Sequence, residues 1–109
     1  MHGLEYVISK TSVTHRKDGA YEYLMIHLAL ELPSGEIELS DGMIVARDFV
    51  LELMTQHDIE FYTVETNLHN KKVGGFPVFV EDNYLKVESN DFDCDNLGEL
   101  DTFLVEVSQ

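Results

Sequence analysis

Ala20-Tyr21-Glu22-Tyr23-Leu24-Met25-Ile26-His27-Leu28-Ala29-Leu30-Glu31-Leu32 is the stretch whose reading decides the fold. Leu24, Ile26, Leu28, Leu30 and Leu32 recur at every second position, with Tyr21, Tyr23, Met25, His27, Ala29 and Glu31 between them. Successive side chains of an extended chain point to opposite faces, so this period predicts a long strand with its leucine-isoleucine face in the core. The other face is rich in Tyr, Met and His and only weakly polar. It is expected to be partly covered or to bind something.

Upstream, residues 4–15 mix Tyr6, Val7, Ile8 and Val13 with Ser and Thr, a strand composition. Arg16-Lys17-Asp18-Gly19 is the turn joining the two strands. Downstream, Pro33-Ser34-Gly35 is a second turn, and residues 36–39 alternate again as a third, antiparallel strand. A helix follows over about 43–57, capped by Ser40 or Asp41, with Ala46, Phe49, Val50, Leu53 and Met54 at helical spacing. Its start competes with an extended reading of Met43-Ile44-Val45. Ile59, Phe61 and residues 62–64 predict a fourth strand, then a loop over 66–75. Residues 76–80 and 84–87 flank Asp82-Asn83 as a hairpin, and residues 103–107 close the chain as a strand. The order lacks the strand-helix alternation of a parallel sheet. The expected fold is therefore α+β: a mainly antiparallel sheet of about six or seven strands with one principal helix packed on it. No repeat or linker divides the chain, so residues 1–109 read as one domain.

The 109 residues carry 21 Asp and Glu against seven Lys and Arg, a formal net charge of −14. Nucleic-acid affinity rests on cations that neutralise phosphates, so direct binding to DNA, RNA or an anionic membrane is not expected. A basic protein is the expected partner, with plain solubility as the competing reading of the charge. A lone cysteine, Cys94, makes no intrachain disulfide, the first residues lack a signal-peptide pattern, and no apolar run suffices for a membrane helix. The expected location is the cytoplasm, of the source cell or, for a phage-encoded protein, of its host.

The charge is uneven. Residues 1–57 hold nine acids and four bases, net −5, and residues 58–109 hold twelve acids and three bases, net −9. Residues 81–101 contain Glu81, Asp82, Glu88, Asp91, Asp93, Asp95, Glu99 and Asp101 against Lys86 alone. Such mutual repulsion lowers stability unless solvent or a partner screens it. These eight carboxylates are the candidate partner-binding residues, and a solvated loop is the bland alternative. Asp91-Phe92-Asp93-Cys94-Asp95 resembles the start of a calcium loop, but Asn96 replaces the glycine at its sixth position and Thr102 the glutamate at its twelfth. Phe92 and Cys94 are expected to turn inward. His2, His15, His27, His57 and His69 show no zinc spacing. Cys94, set among carboxylates, is a poor nucleophile, and Gly74-Gly75 lacks a phosphate-binding fingerprint. No metal, cofactor or catalytic residue is expected.

The leading expectation is a non-enzymatic inhibitor that occupies the cationic surface of a nuclease or other nucleic-acid-binding protein. In an extended segment, Asp91, Asp93 and Asp95 would project to one side about 6.8 Å apart, of the order of successive phosphates along a strand. In size and charge the chain resembles phage antirestriction and anti-CRISPR inhibitors, which implies a DNA-mimic role. The alternatives are an immunity protein that neutralises a nuclease toxin, or a small ligand-binding or enzymatic α+β domain. The last would use His27, Tyr21, Tyr23 and His57. A concave pocket in which a histidine and a carboxylate converge would favour it. Oligomeric state is open, a homodimer included.

Overall fold

In the computed structural model, which describes residues 4–34, 36–66 and 72–105, the chain runs β1 (Leu4–Ser12), β2 (Tyr23–Glu31), β3 (Ile37–Leu39), β4 (Met43–Ala46) and α1 (Arg47–Gln56). It continues through β5 (Phe61–Thr66), β6 (Lys72–Pro77), β7 (Phe79–Glu81), β8 (Tyr84–Lys86) and β9 (Asp101–Phe103). The fold is α+β: a mostly antiparallel seven-stranded sheet and, among the described residues, a single helix.

β1 and β2 pair antiparallel at the centre. Each of their outer edges is shared by two strands. Along β2, residues 23–26 pair with β4 and residues 29–31 with β3, both antiparallel. Along β1, residues 6–8 pair with β5 and residues 10–12 with β9, both parallel. β6 extends the sheet antiparallel beyond β5. The β1–β5 pairing is parallel because α1 leaves from the β4 edge and β5 returns at the β1 edge, the kind of crossover that a parallel neighbour needs. β7 and β8 form a separate two-stranded hairpin across Asp82-Asn83, both at positive φ (54° and 69°), as a type I′ turn requires.

Ile8, Leu24, Ile26 and Phe61 of the sheet cluster with Val50 of α1 and with Val78, Leu85 and Leu97. A smaller cluster joins Val7, Ala29 and Val64, against which Leu39 and Tyr62 pack. Both sheet faces are thus partly buried, as the weakly polar second face of β2 suggested.

Several boundaries and burials differ from the sequence reading. Leu24 and Ile26 are buried, but Leu28 is only half-buried and Leu30 is 43% exposed. Ten helical residues span about 15 Å, whereas nine strand residues span about 30 Å, so α1 cannot cover the whole strand. Residues 43–46 pair with β2 instead of opening the helix. Neither Ser40 nor Asp41 caps it; the N-cap is Ala46, and the Arg47 N–H donates to the Glu22 carbonyl at 3.1 Å. Phe49, assigned to the helix's buried face, is exposed, and Leu51 packs inward in its place. Residues 72–75, read as loop, belong to β6. Val78 interrupts the run 76–80, its N–H donating to the Phe61 carbonyl, so Phe76 and Pro77 end β6 while Phe79 opens β7. The last described strand is 101–103 rather than 103–107; residues 106 and 107 lie outside the described residues.

Ile26→Asp should place an unpaired charge in the core and abolish the cooperative melt, because the cost of several kcal/mol rivals the stability of a small domain. Leu30→Asp, on the same strand face beyond the reach of α1, should shift the melting temperature by only a few degrees. Thermal melts of the two variants check this, and equal losses would mean that the face is covered throughout.

Candidate functional site

The acidic segment 81–101 is organised by two of its own charges turned inward. The Asp95 side chain is fully buried. Its Oδ2 accepts from the Tyr21 N–H at 2.9 Å and Arg47 Nε at 3.0 Å, and its Oδ1 from the Leu85 N–H at 2.8 Å and Arg47 Nη2 at 2.9 Å. Each carboxylate oxygen therefore holds two donors. Arg47, equally buried, also donates to the Asn83 carbonyl and to Asp48 Oδ1 at 3.0 Å. Burial works against the Arg47 charge, but the hydrogen bonds and charge of Asp95, followed by those of Asp48, raise its pKa overall. Gly19, at φ +89°, passes close beneath this point: a Cβ there would stand 2.5 Å from the Asp93 carbonyl oxygen. The Gly19 carbonyl accepts from the Asp95 N–H at 3.2 Å.

Lys86 is the second internal charge. Its Nζ donates at 3.0 Å to Glu81 Oε1 and to the carbonyls of Asn90 and Phe92, clasping the loop that follows β8. Glu81 also accepts the Ser89 hydroxyl at 2.7 Å. Ser89 first, with Lys86, holds the Glu81 carboxyl below the usual carboxylate range.

The eight sequence-predicted carboxylates therefore separate. Asp95 lies inside and presents no surface to a partner. Glu81 is half-buried in its ion pair. Asp82 sits in the hairpin turn, and Glu88, Asp91 and Asp93 are exposed. Glu99 and Asp101 line a cleft on the sheet. Residues 91–95 form bends rather than a strand, so Asp91, Asp93 and Asp95 do not make an extended row. Phe92, expected inside, is 70% exposed, because the chain turns Asp95 inward instead. Among the described residues, no three His, Cys, Asp or Glu side chains stand close enough to hold a metal ion.

The cleft has a volume of about 650 Å³. Its wall includes Ser9, Lys10, Met25 and His27 of the central strands. His27 Nε2 lies 2.6 Å from Ser9 Oγ, and its Nδ1 lies 2.8 Å from the Ser40 carbonyl oxygen. A carbonyl only accepts, so Nδ1 carries a proton; in the neutral ring Nε2 then accepts the Ser9 hydroxyl. Ser9 occupies a bulge: Ile8 pairs with Ile26 and Lys10 with Met25, leaving Ser9 as the extra residue. The bulge brings Ser9 and Lys10, neighbours in sequence, to one cleft, which regular alternation forbids. Gly42 allows the chain to pass close to this site, where a Cβ would meet Met25 Sδ at 2.8 Å and His27 Cε1 at 3.0 Å.

Of the other polar groups named for a pocket, Tyr21 is in the core with its ring 5.1 Å from that of His15. His57 is exposed at the end of α1, and Tyr23 is half-buried; neither lines the cleft. Sequence reasoning missed Ser9 and Lys10, since a bulge leaves no mark on the alternation, and it missed Arg47 and Lys86 as buried cations. Only an uncompensated acid cluster around one lysine pointed towards the latter. Compared with family models, curated proteins and solved structures, the chain matches none. No described helix is long and apolar enough to cross a membrane.

Asp95→Asn removes the charge opposite buried Arg47 and should cost about 3–5 kcal/mol, whereas Asp91→Asn with Asp93→Asn should lie within about 0.5 kcal/mol of the parent. Urea titrations check both; equal effects would mean that Asp95 is not the organising carboxylate.

A pH series tests Asp48, whose carboxyl is held below the usual range by Arg47 first and then Arg16. A depressed folded-state value contributes stability above the unfolded carboxylate range, near pH 4, and that contribution disappears as pH falls through the lower folded value. Asp48→Asn should therefore flatten the loss of stability below about pH 4, read as the urea midpoint against pH.

Proposed function

We propose that this protein is an acidic binding protein that inhibits a basic, nucleic-acid-binding protein by occupying its cationic surface, an inhibition that requires no catalysis. The observation that carries the reading is the division of charge on folding. Arg47 and Lys86, two of the seven cations, are buried, and Arg16 is committed to Asp18 and Asp48 at 2.5 and 2.7 Å. Most described carboxylates remain exposed. Asp95 is buried with Arg47, so folding leaves essentially the whole negative excess of the sequence on the surface, which favours steering towards a cationic partner.

The contact surface we assign is the loop 88–93, in which exposed Glu88, Asp91 and Asp93 accompany exposed Phe92. An aromatic side chain that becomes buried at the centre of an interface is a common centre of binding energy. Lys86 holds the Phe92 carbonyl from inside, so the loop is presented in one conformation and loses little freedom on binding. Asp95 belongs to its support and not to the contact. The same chemistry fits an antirestriction-type phage inhibitor or an immunity protein against a nuclease toxin, and the identity of the partner distinguishes them.

Pulldown from the source cell or its host, at low and high salt, should capture a basic protein that is released as salt rises. Against that partner, Asp91→Asn with Asp93→Asn should slow association about tenfold and flatten its salt dependence. Phe92→Ala should instead speed dissociation. Unchanged rates in both variants would remove this loop from the interface.

A further inference from the structure

The sheet cleft holds a nucleophile-base pair that partner binding does not use. We propose that it is a hydrolytic site for small carboxylic esters with an apolar acyl group, with Ser9 as nucleophile and His27 as its base. The Ser9 hydroxyl, His27 Nε2 and the Ser40 carbonyl lie in a chain of 2.6 and 2.8 Å hydrogen bonds. That chain orders the protons as a nucleophilic serine needs: hydroxyl to Nε2, and Nδ1–H to an acceptor that orients the ring. The acceptor is a backbone carbonyl rather than a carboxylate. Glu99 and Asp101 line the same cleft without bonding to His27. Ser9 and His27 are both half-buried, so the hydroxyl is within reach of a ligand.

The lining sets the substrate class. Met25, Leu39, Phe76 and Leu100 offer apolar surface for an acyl chain. The volume of about 650 Å³ is within the usual range for a small-molecule site. Lys10 is the cation among the described lining residues, and no described carboxylate pairs with it. It supplies positive charge for the oxyanion that develops on the ester carbonyl.

The steps balance without a cofactor. Ser9 Oγ forms a bond to the ester carbonyl carbon while its proton passes to His27 Nε2, and the carbonyl electron pair moves onto oxygen. As the carbonyl re-forms, the carbon–alkoxy bond breaks and the His27 proton goes to the leaving alkoxide, giving an alcohol and acyl-Ser9. A water molecule then attacks the acyl carbon, losing a proton to His27. The bond to Ser9 Oγ breaks, the proton returns to Ser9, and the carboxylic acid leaves.

The test uses the full chain with diisopropyl fluorophosphate and p-nitrophenyl butyrate. Mass mapping of the diisopropylphosphorylated chain should place a single adduct on Ser9, and pretreatment should abolish butyrate hydrolysis. His27→Gln, with its circular dichroism unchanged, should label and hydrolyse at least about a hundredfold more slowly. Ser34→Ala, at an exposed turn, should behave as the parent. No adduct, an adduct on another residue, or hydrolysis that survives complete labelling overturns the proposal. The adduct position on the unaltered chain decides the matter even where a variant fails to fold. None of these readouts depends on the acidic partner, so this site and the interface stand or fall separately.

Discussion

The buried pairing of Arg47 with Asp95 is the constraint on which the rest of the structure depends. One carboxylate gathers the N–H groups of Tyr21 and Leu85 and the Nε and Nη2 donors along one edge of a guanidinium. It therefore ties the entry to β2, the first turn of α1, the β7–β8 hairpin and the acidic loop to a single point. A buried ion pair is weak evidence of net stability, since desolvation offsets much of the attraction. Its clearer consequence is geometric. Four donors on two oxygens leave one arrangement of those segments in which every group is satisfied, and every other arrangement leaves a charge unpaired in the interior. Among the described residues, no buried side-chain nitrogen or oxygen lacks a partner.

That arrangement also decides what the acidic segment can present. Asp95 is drawn inside and Lys86 clasps the backbone carbonyls of Asn90 and Phe92, so the intervening residues are forced outward. The exposed Phe92 between Asp91 and Asp93 is a consequence of what lies on either side of it. Interior charge makes the outer charge usable: the loop is held without spending its own carboxylates on internal bonds. Across the sheet, the bulge at Ser9 does comparable work on a smaller scale. One extra residue in β1 aims two adjacent polar side chains at His27 and Met25 instead of letting them alternate. The exposed acidic loop and the cleft thus rest on different devices, an ion pair in one case and a register shift in the other.

The sequence was a good guide wherever a local pattern and the tertiary fold agreed. The alternation through Leu24 and Ile26, the Asp18-Gly19 turn, the strand at 37–39 and the Asp82-Asn83 hairpin turn are all present. It was a poor guide where two local readings were equally good, as at residues 43–46. There, extended pairing with β2 prevailed because that edge of the strand would otherwise carry unpaired N–H and C=O groups. It misled at Leu30, whose pattern is identical to that of Leu24, because hydrophobic alternation records a strand's face and not the length of the helix laid across it.

What the sequence by itself determined is the α+β class, the strand faces near the helix, and the excess of negative charge, because these follow from local periodicity and from counting. Which charges are inside was decided by the tertiary structure alone. Asp91, Asp93 and Asp95 are equivalent in sequence, yet only Asp95 lies opposite an arginine 48 residues away. The cleft is of the same kind. Ser9, His27 and Ser40 come from three separate segments: the Ser9–His27 bond exists only once β1 and β2 pair with an extra residue between them, and the His27–Ser40 bond only once the chain after β3 lies beside β2. Periodicity reports the chain's relation to its immediate neighbours; a buried charge or a proton chain depends on a partner that only the folded chain brings near.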